Sequence, residues 1–394
     1  MIRSIEDLSL GHKRVLMRVD FNVPLNAQGQ ITDDSRIKAS LPSIQYALEK
    51  GAKLILASHL GRPKGKVDSR YSLLPVAERL AELLDKTVLF PEDCIGNAAR
   101  KLVSDLREGE VILLENLRFH PEEEANDPVF SEKLAAYAEV YVDDSFGTIH
   151  RAHASTVGAA LRVAERGAGL LVLKELSMLR GLVEEPERPF LAILGGAKVS
   201  DKLGVLESLV KKANAILIGG AMAYTFLRAL GVKVGSSLVE ENKIHQAEKI
   251  LEKAKSKEVP IYLPLDHVVA QRLEKNTVYE VTSQVDISLG WMGVDIGPKT
   301  LQLFSEQIAK AKTILWNGPV GAFEIEPFEK GTMGIAHKIA ESSAVSVVGG
   351  GDSLAAVHRA GVGDKISHLS TGGGASLEFI EGKVLPGLQV LEIH

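Results

Sequence analysis

Phe190-Leu191-Ala192-Ile193-Leu194-Gly195-Gly196-Ala197-Lys198 decides how this chain is read. Five apolar residues in a row have the length of a strand, and the glycine pair ends it. The same punctuation recurs downstream. Ala215–Ile218 runs into Gly219-Gly220, residues 313–316 into Asn317-Gly318, and residues 345–348 into Gly349-Gly350-Gly351. A fifth glycine run, Gly372-Gly373-Gly374, lies further on. Upstream, apolar runs stand at 15–19, 54–57, 111–114 and 140–142. Between the runs lie amphipathic stretches such as 35–50, stopped by Gly51, and 131–138. Strands alternating with helices imply a mainly parallel sheet covered by helices. Two such series predict two α/β domains, each a doubly wound parallel sheet. The stretch 169–184 reads as a helix ended by Glu185-Pro186-Glu187-Arg188-Pro189, which makes a rigid linker. Residues 260–300 read as an insertion, with Pro260-Ile261-Tyr262-Leu263-Pro264 and Val278-Tyr279-Glu280-Val281 forming an extra strand layer.

The composition sets the outer bounds. A length of 394 residues corresponds to two or three domains at about 150 residues each. With 45% hydrophobic and 25% charged residues the chain is ordinary for a globular protein, neither disordered nor collagenous. No apolar stretch approaches the roughly 20 residues of a membrane span. The first residues, Met1-Ile2-Arg3-Ser4-Ile5-Glu6-Asp7, lack the apolar core of a signal peptide, so a cytosolic address is expected. Cys94 is the only cysteine, which excludes a disulfide framework and a cysteine-based metal site within the chain. A net charge of -5 argues against a general nucleic-acid or membrane binder. Up to residue 185 there are 24 Lys+Arg against 28 Asp+Glu, and beyond it 22 against 23. Any anion site must therefore be local. Glycine divides differently, 12 before that point and 24 after it.

Open α/β sheets bind ligands beyond the carboxyl ends of their strands. In the first half those positions hold Asp20-Phe21-Asn22, Ser58-His59-Leu60-Gly61-Arg62, Glu115-Asn116-Leu117-Arg118, and Asp143-Asp144-Ser145-Phe146-Gly147 leading to His150-Arg151. Arg18 lies within its strand, on the same face as Asp20, and Arg36 opens the first helix. One arginine alone reads as a surface ion pair. Five arginines and a histidine at strand ends point to a pocket for a small polyanion, because guanidinium groups match phosphate and carboxylate bidentately. Arg18 is the sharpest case, since a charge inside an apolar strand needs a partner. His59 and His153 read equally as structural hydrogen-bond donors, His153 more so.

In the second half, glycine lets backbone N–H groups approach a phosphate, and the helix N-terminus that follows most of these runs adds a favourable dipole. A single glycine pair is no more than a tight turn, but five at successive strand ends are hard to explain that way. Gly-x4-Gly-Lys-[Ser/Thr] does not occur, and no Gly-x-Gly-x-x-Gly follows the first strand of either half, which speaks against a P-loop ATPase and a dinucleotide-dependent dehydrogenase. Asp352 suits Mg²⁺ carried by nucleotide phosphates or a plain N-cap. Lys198 and Lys202, at i and i+4, are expected on one helical face aimed at one anion.

Taken together, these segments resemble the phosphoglycerate kinase family. Arg18-Val19-Asp20-Phe21-Asn22-Val23-Pro24, His59-Leu60-Gly61-Arg62-Pro63-Lys64-Gly65, Glu115-Asn116-Leu117-Arg118-Phe119 and His150-Arg151-Ala152-His153-Ala154-Ser155-Thr156 are similar to its substrate loops. Leu194-Gly195-Gly196-Ala197-Lys198-Val199-Ser200-Asp201-Lys202, Trp316-Asn317-Gly318-Pro319-Val320-Gly321, Gly349-Gly350-Gly351-Asp352-Ser353 and Ser370-Thr371-Gly372-Gly373-Gly374-Ala375-Ser376 are similar to its nucleotide side. The motifs stand in family order and span nearly the whole chain.

The resemblance implies a phosphotransferase with a carboxyl acceptor, moving the ATP γ-phosphoryl group reversibly to 3-phosphoglycerate. It implies that Asp20, Asn22, Arg36, His59, Arg62, Arg118 and Arg151 hold 3-phosphoglycerate. Arg18, Lys198, Gly373 and Gly374 would act on the moving phosphoryl group. Gly196, Lys202, Gly219, Gly220, Gly293, Asn317, Pro319, Glu324, Gly350, Gly351, Asp352, Ser353 and Thr371 would line the Mg-nucleotide site, with Glu324 on the ribose hydroxyls and Asp352 on Mg²⁺. The implied organisation is a substrate domain over 1–168, a hinge over 169–186 and a nucleotide domain over 187–383. Residues 384–394 would return to the first domain, the active site would lie in the cleft between domains that close for in-line transfer, and the protein would be a monomer without nucleic-acid or membrane partners. The chain departs from the family pattern at Gly219-Gly220-Ala221, Asp143-Asp144-Ser145 and His267, none of them a residue assigned to phosphoryl transfer. Two other readings use part of the same pattern: a nucleotide-dependent ligase or different acid kinase, and a non-enzymatic anion- or nucleotide-binding module.

Overall fold

The computed structural model describes residues 1–392. Ile393 and His394, the end of the expected 384–394 segment, lie outside the described residues. The chain divides into two compact units, one of Met1–Ser177 together with the chain from Val384, the other of Met178–Lys383. The division falls inside the helix Leu170–Val183.

The first unit is built on six parallel strands: β1 (Arg14–Val19), β2 (Lys53–Ala57), β3 (Val88–Leu89), β4 (Val111–Leu113), β5 (Val140–Asp144) and β6 (Glu165–Ala168), in the order β3-β4-β2-β1-β5-β6. Every residue of β4 and β5 is buried. Helices on both faces make a strand apolar along its whole length, which is why these runs show no alternation. A core cluster packs Val15, Met17 and Val19 of β1 against Ile37 and Ile44 of the helix Ser35–Glu49 and Val76 and Leu80 of the helix Leu74–Leu84. Sequence order runs outward from β1 through β2 on one side and from β5 through β6 on the other. The switch point thus lies between β1 and β5, where Arg18 pairs in register with Asp143. The C-terminal segment completes this unit. Gly387 donates to the Ile149 carbonyl at 2.9 Å, and Arg166 Nε donates to the Val390 carbonyl at 2.6 Å.

The second unit repeats the plan. Its parallel sheet comprises β7 (Phe190–Leu194), β8 (Ala215–Ile218), β9 (Ile261–Tyr262), β13 (Thr313–Asn317), β14 (Val345–Gly349) and β15 (His368–Ser370), in the order β15-β14-β13-β7-β8-β9. Leu194, Asn317, Gly349 and Ser370 are successive register partners. All the glycine-rich strand ends therefore open on one edge, and the switch point falls between β7 and β13. Between β9 and β13 the chain inserts β10 (His267–Ala270), β11 (Tyr279–Val281) and β12 (Met292–Ile296), an antiparallel sheet in the order β11-β10-β12.

The insertion differs from the sequence expectation in its first element. Ile261 and Tyr262 do not join the extra layer but pair with Ile216 and Leu217 as the edge of the parallel sheet. A two-residue strand carries no periodicity of its own, so only its neighbour reveals it.

Candidate functional site

At the switch point of the first unit, Arg18 is 1% exposed. Its Nε donates to Ser155 Oγ at 2.8 Å, its Nη1 to the Val19 carbonyl and its Nη2 to His59 Nδ1 at 3.1 Å. A guanidinium can only donate, so His59 Nδ1 accepts and the ring is neutral with its proton on Nε2. Burial, reinforced by Arg18, Arg118, Arg151 and Arg36, holds the His59 pKa well below the ordinary imidazole value. Asp20 follows the strand, accepts from Arg36 Nη1 and lies 3.9 Å from His59. Asn22 Oδ1 accepts from the Gly61 amide at 2.8 Å, and Arg118 Nη1 donates to the Gly61 carbonyl at 2.9 Å. The loops after β1, β2 and β4 are thus tied together beneath one rim.

Arg118 is the least satisfied member. It is 4% exposed, yet its Nε and Nη2 have no hydrogen-bond partner. Nε lies 3.4 Å from Glu124 in an ion pair that makes no hydrogen bond. Burial and the neighbouring cations Arg18 and Arg151 lower its pKa to about 10. Arg151, half-buried, donates to His150 at 3.3 Å. Arg62 stands exposed on the loop after β2. The structure therefore gathers Arg18, Asp20, Asn22, Arg36, His59 and Arg118 through one set of contacts and leaves Arg62 at the periphery. His153 does not donate the structural hydrogen bond expected of it: its buried Nδ1 is unpartnered, 4.0 Å from Glu123, and burial with Arg18, Arg118 and Arg151 lowers its pKa to about 3.

At the switch point of the second unit the ends of β7 and β13 approach so closely that no side chain fits. A Cβ on Gly195 would lie 2.1 Å from the Pro319 carbonyl oxygen, and one on Gly318, whose φ is +99°, would lie 2.2 Å from that of Gly195. The amides of Gly195 and Gly196 donate to the Asn317 and Pro319 carbonyls. Next to this crossing lies a cavity of about 300 Å³ lined by Gly196, Lys198, Lys202, Asn317, Pro319, Gly350, Gly351, Asp352 and Ser353. Lys202 donates to Asn317 Oδ1, and burial lowers its pKa to about 8. Ser353 Oγ accepts from the Gly318 amide at 2.6 Å and locks the β13 and β14 ends together.

Two local expectations change here. Lys198 and Lys202 do not share a helical face, because Lys198 precedes the short 3₁₀ turn Ser200–Lys202. They converge on one cavity through a loop. Asp352 is not an N-cap: Gly350 holds that position in the helix Gly351–Arg359 and no side chain caps it, and Asp352 lines the cavity.

A second cavity of about 280 Å³ adjoins the first and shares Gly196, Pro319 and Asp352. Gly220, Gly293 and Glu324 line it, as do Tyr224, Leu238, Leu273 and Met292, which sequence reasoning missed. Met292 and Gly293 come from the inserted sheet; Gly293 is expected from the family resemblance, while nothing in the local sequence marks Met292. Gly219 lines neither cavity; its hydrogen packs on Val320, where a Cβ would meet the side chain at 2.7 Å. Thr371, Gly373 and Gly374 follow β15 into the helix Gly374–Glu381, with Gly373 at φ +53°.

An arginine-rich rim thus lies at one switch point, and a glycine-lined cavity with two lysines and an aspartate at the other. The family model described as phosphoglycerate kinase covers residues 5–383. The chain belongs to the phosphoglycerate kinase family. It is 56% identical over 393 residues to a phosphoglycerate kinase of Anaeromyxobacter sp. (strain Fw109-5), with 99% of each chain covered. It is 55% identical over 396 residues to that of Koribacter versatilis, at 98% of each. Among solved structures, phosphoglycerate kinase from Coxiella burnetii superposes with a TM-score of 0.89 at 40% identity, covering 99% of both chains. That from Pyrococcus horikoshii gives 0.88 at 35% identity, covering 99% of this chain and 98% of the other. The two-sheet fold above is the fold of phosphoglycerate kinases.

Proposed function

We propose that the protein transfers the γ-phosphoryl group of ATP reversibly to the carboxylate of 3-phosphoglycerate, giving 1,3-bisphosphoglycerate and ADP, a step of glycolysis. Family membership over the full length supports the reaction. The observation that carries the substrate side is Arg118, a buried guanidinium with two unpartnered nitrogens beside Arg18 and Arg151. A buried cation in that state calls for an anion. Asp20, Asn22, Arg36, His59, Arg62 and Arg151 complete the reading of the rim, and the cavities of the second unit take the nucleotide.

The chemistry asks little of general acid–base groups. The acceptor carboxylate is ionised at neutral pH, so no base must deprotonate it, and His59, kept neutral by its surroundings, binds rather than shuttles a proton. Catalysis is positioning and neutralisation of the charge on the moving group. Arg18 and Lys198 cover its oxygens, and the amides of Gly373 and Gly374 add backbone donors. Lys202 holds the nucleotide phosphates while Asn317 fixes its ammonium group. Glu324 takes the ribose hydroxyls, and the slot beside Tyr224, Leu238, Leu273 and Met292 takes the base. The Asp352 carboxylate, facing phosphate-binding lysines and glycines, fits Mg²⁺, which takes one or two carboxylates plus phosphate oxygens. When bound with nucleotide, Mg²⁺ supplies further neutralisation of phosphate charge.

In-line transfer brings the two rims within bonding distance of one phosphoryl group, so we read 1–168 and 187–383 as domains that close about a hinge over 169–186. The expected scattering signature is a smaller radius of gyration with both substrates than with either alone. We read the protein as a cytoplasmic monomer, as the family resemblance implies, and the charge of -5 speaks against a general nucleic-acid or membrane binder. No helix among the described residues is long and apolar enough to cross a membrane.

Turnover of ATP with 3-phosphoglycerate, followed through the bisphosphate, tests the reaction. Lys198→Ala should lower kcat by about 100-fold or more, the scale of losing one charge-stabilising group. A near-normal kcat removes Lys198 from the transfer step. Turnover only with another acid would favour a different acid kinase, and nucleotide binding without turnover a binding module.

A further inference from the structure

The two lysines of the first cavity sit on a loop that is gripped from its outer side. Glu240 Oε1 accepts from Ser200 Oγ at 2.7 Å and Oε2 from the Ser200 amide at 3.0 Å. Both carboxylate oxygens thus engage one residue, the one that opens the turn Ser200–Lys202. The Lys202 amide closes that turn on the Val199 carbonyl at 2.9 Å. Burial alone would raise the Glu240 pKa, but the Ser200 hydrogen bonds, with the Val199 amide and the charge of Lys198 behind them, hold it below the ordinary carboxylate value. The Glu240 amide is anchored in turn, donating to Thr225 Oγ1 at 3.1 Å. Thr225 is buried in the helix Met222–Ala229, next to Tyr224 of the second cavity. Two residues before Glu240, Leu238 lines that same cavity, and Ser237 Oγ accepts from the Gly293 amide on its wall at 2.9 Å. Residues 237–240 therefore form a strap with one end on the second cavity and the other on the lysine loop of the first.

We propose that Glu240 is a positioning residue for Lys198 and Lys202, and that the strap 237–240 ties their loop to the slot that takes the base. An ionised carboxylate only accepts, and here it takes the N–H and the O–H of one residue in two charge-assisted hydrogen bonds. That two-point grip fixes how Ser200 is turned, and with it the loop on either side. Two ammonium groups drawn to one cavity repel each other. A loop that carries both needs an outside hold to keep them together before an anion arrives, and the Glu240 charge offsets part of the repulsion. A carboxylate set directly on either ammonium group would compete with phosphate. Set on Ser200 instead, it leaves Lys198 to the ligand and Lys202 to the ligand and Asn317. Donors held in place beforehand lose less freedom on binding. Because the strap also carries Leu238, base and phosphates are read by one connected piece of chain.

This inference rests on the reading that these lysines hold nucleotide phosphates, and the test separates the two. Lys202→Met is measured first, and ADP bound by it as tightly as by the unaltered protein would overturn that reading. Glu240→Ala, Glu240→Gln and the unaltered protein are then titrated with ADP and with adenosine, which offers a base and a ribose but no phosphate. Glu240→Ala should bind ADP about 10- to 100-fold more weakly, the scale of two charge-assisted hydrogen bonds, with adenosine affinity unchanged. The Glu240→Gln amide can still accept from the Ser200 N–H and donate to its hydroxyl, so ADP affinity should recover to within about threefold of the unaltered protein. A packing loss without positioning would weaken both ligands alike. Unchanged ADP affinity in Glu240→Ala, an equal loss for adenosine, or no recovery in Glu240→Gln would overturn the proposal. Should Glu240→Ala not fold, Ser200→Ala decides on the same ADP-against-adenosine split, with a loss of about 3- to 10-fold for one hydrogen bond.

Discussion

Arg118 carries a positive charge where water barely reaches, and two of its nitrogens make no hydrogen bond, the ion-pair partner beside them being Glu124 at 3.4 Å from Nε. A site of this kind exchanges stability for binding. Arg118→Met should therefore raise the melting temperature of the ligand-free protein by a few degrees while weakening 3-phosphoglycerate binding about 10- to 100-fold, the scale of a charge-assisted hydrogen-bond pair. Calorimetry and equilibrium titration check the two halves, and a lower melting temperature would mean that Arg118 is structural. Lys202 makes the complementary case on the nucleotide side. Its pKa near 8 in the free protein comes from burial, and a bound phosphate would raise it. As pH rises through 8 the free lysine loses its proton, so ADP affinity should fall above pH 8 and hold steady below it. Lys202→Met should bind weakly with that step gone, which fluorescence titration between about pH 6.5 and 9.5 would reveal.

At the scale of elements, the second unit depends on two strands whose ends nearly touch. Gly195 and Gly318 each leave room only for hydrogen against the other's backbone. Gly195→Ala would press a methyl carbon into the Pro319 and Gly318 carbonyls, which are backbone and cannot swing aside. The expected cost is about 2–4 kcal/mol, as for other overpacked or strained sites, with nucleotide affinity lost as the cavity distorts. Gly231→Ala is the informative comparison: its Cβ would meet nothing within 4 Å, but its φ of +80° still strains an L residue. That change should cost only about 1 kcal/mol or so and leave the cavity intact. Equal losses of nucleotide binding in the two variants would show that steric approach is not what Gly195 provides.

The long strands at these two edges were legible as apolar runs ended by polar or glycine residues. The short ones were not. β3 and β9 have two residues each and β15 has three, lengths over which no period can be read. Their pairing is decided by β4, β8 and β14, which lie far away in sequence.

Across the whole molecule, each unit carries a buried aspartate whose carboxyl accepts from backbone amides, Asp144 in the first and Asp295 in the second. In the first, Asp144 Oδ1 accepts from the Leu171 amide at 2.9 Å, at the start of the helix Leu170–Val183, while Oδ2 is buried without a partner. In the second, Asp295 accepts from the amides of Ile296 and Gly331. Burial raises both pKa values from 3.8 to about 7. At these two groups the folded state holds protons that the unfolded chain releases between about pH 4 and 7, so their contribution to stability falls as pH rises through that window. His59, His153 and His267, whose pKa values burial lowers, contribute in the opposite sense below the free imidazole value, so the carboxyls are tested by difference. Between about pH 5.5 and 8 the melting temperature of Asp144→Asn should gain more, or lose less, than that of the unaltered protein, and an equal change in both would remove Asp144 from the pH dependence.

Sequence alone determined the α/β class, the strand-end positions of Arg18, Asp20, His59, Arg118 and the glycine runs, and the family. Those features are local: they need only a short apolar run and the residue types that follow it. Only the tertiary structure decided which of these side chains meet. Lys198 and Lys202 converge through a loop rather than a helix, Asp352 is free of the capping role, and Met292 lines the second cavity from an insertion. Glu123 was invisible for the same reason. It reads as one more acid in Pro121-Glu122-Glu123-Glu124, and only the fold shows it buried against Ser155, 32 residues away. Long-range packing, unlike strand-end chemistry, leaves no mark within a window of sequence.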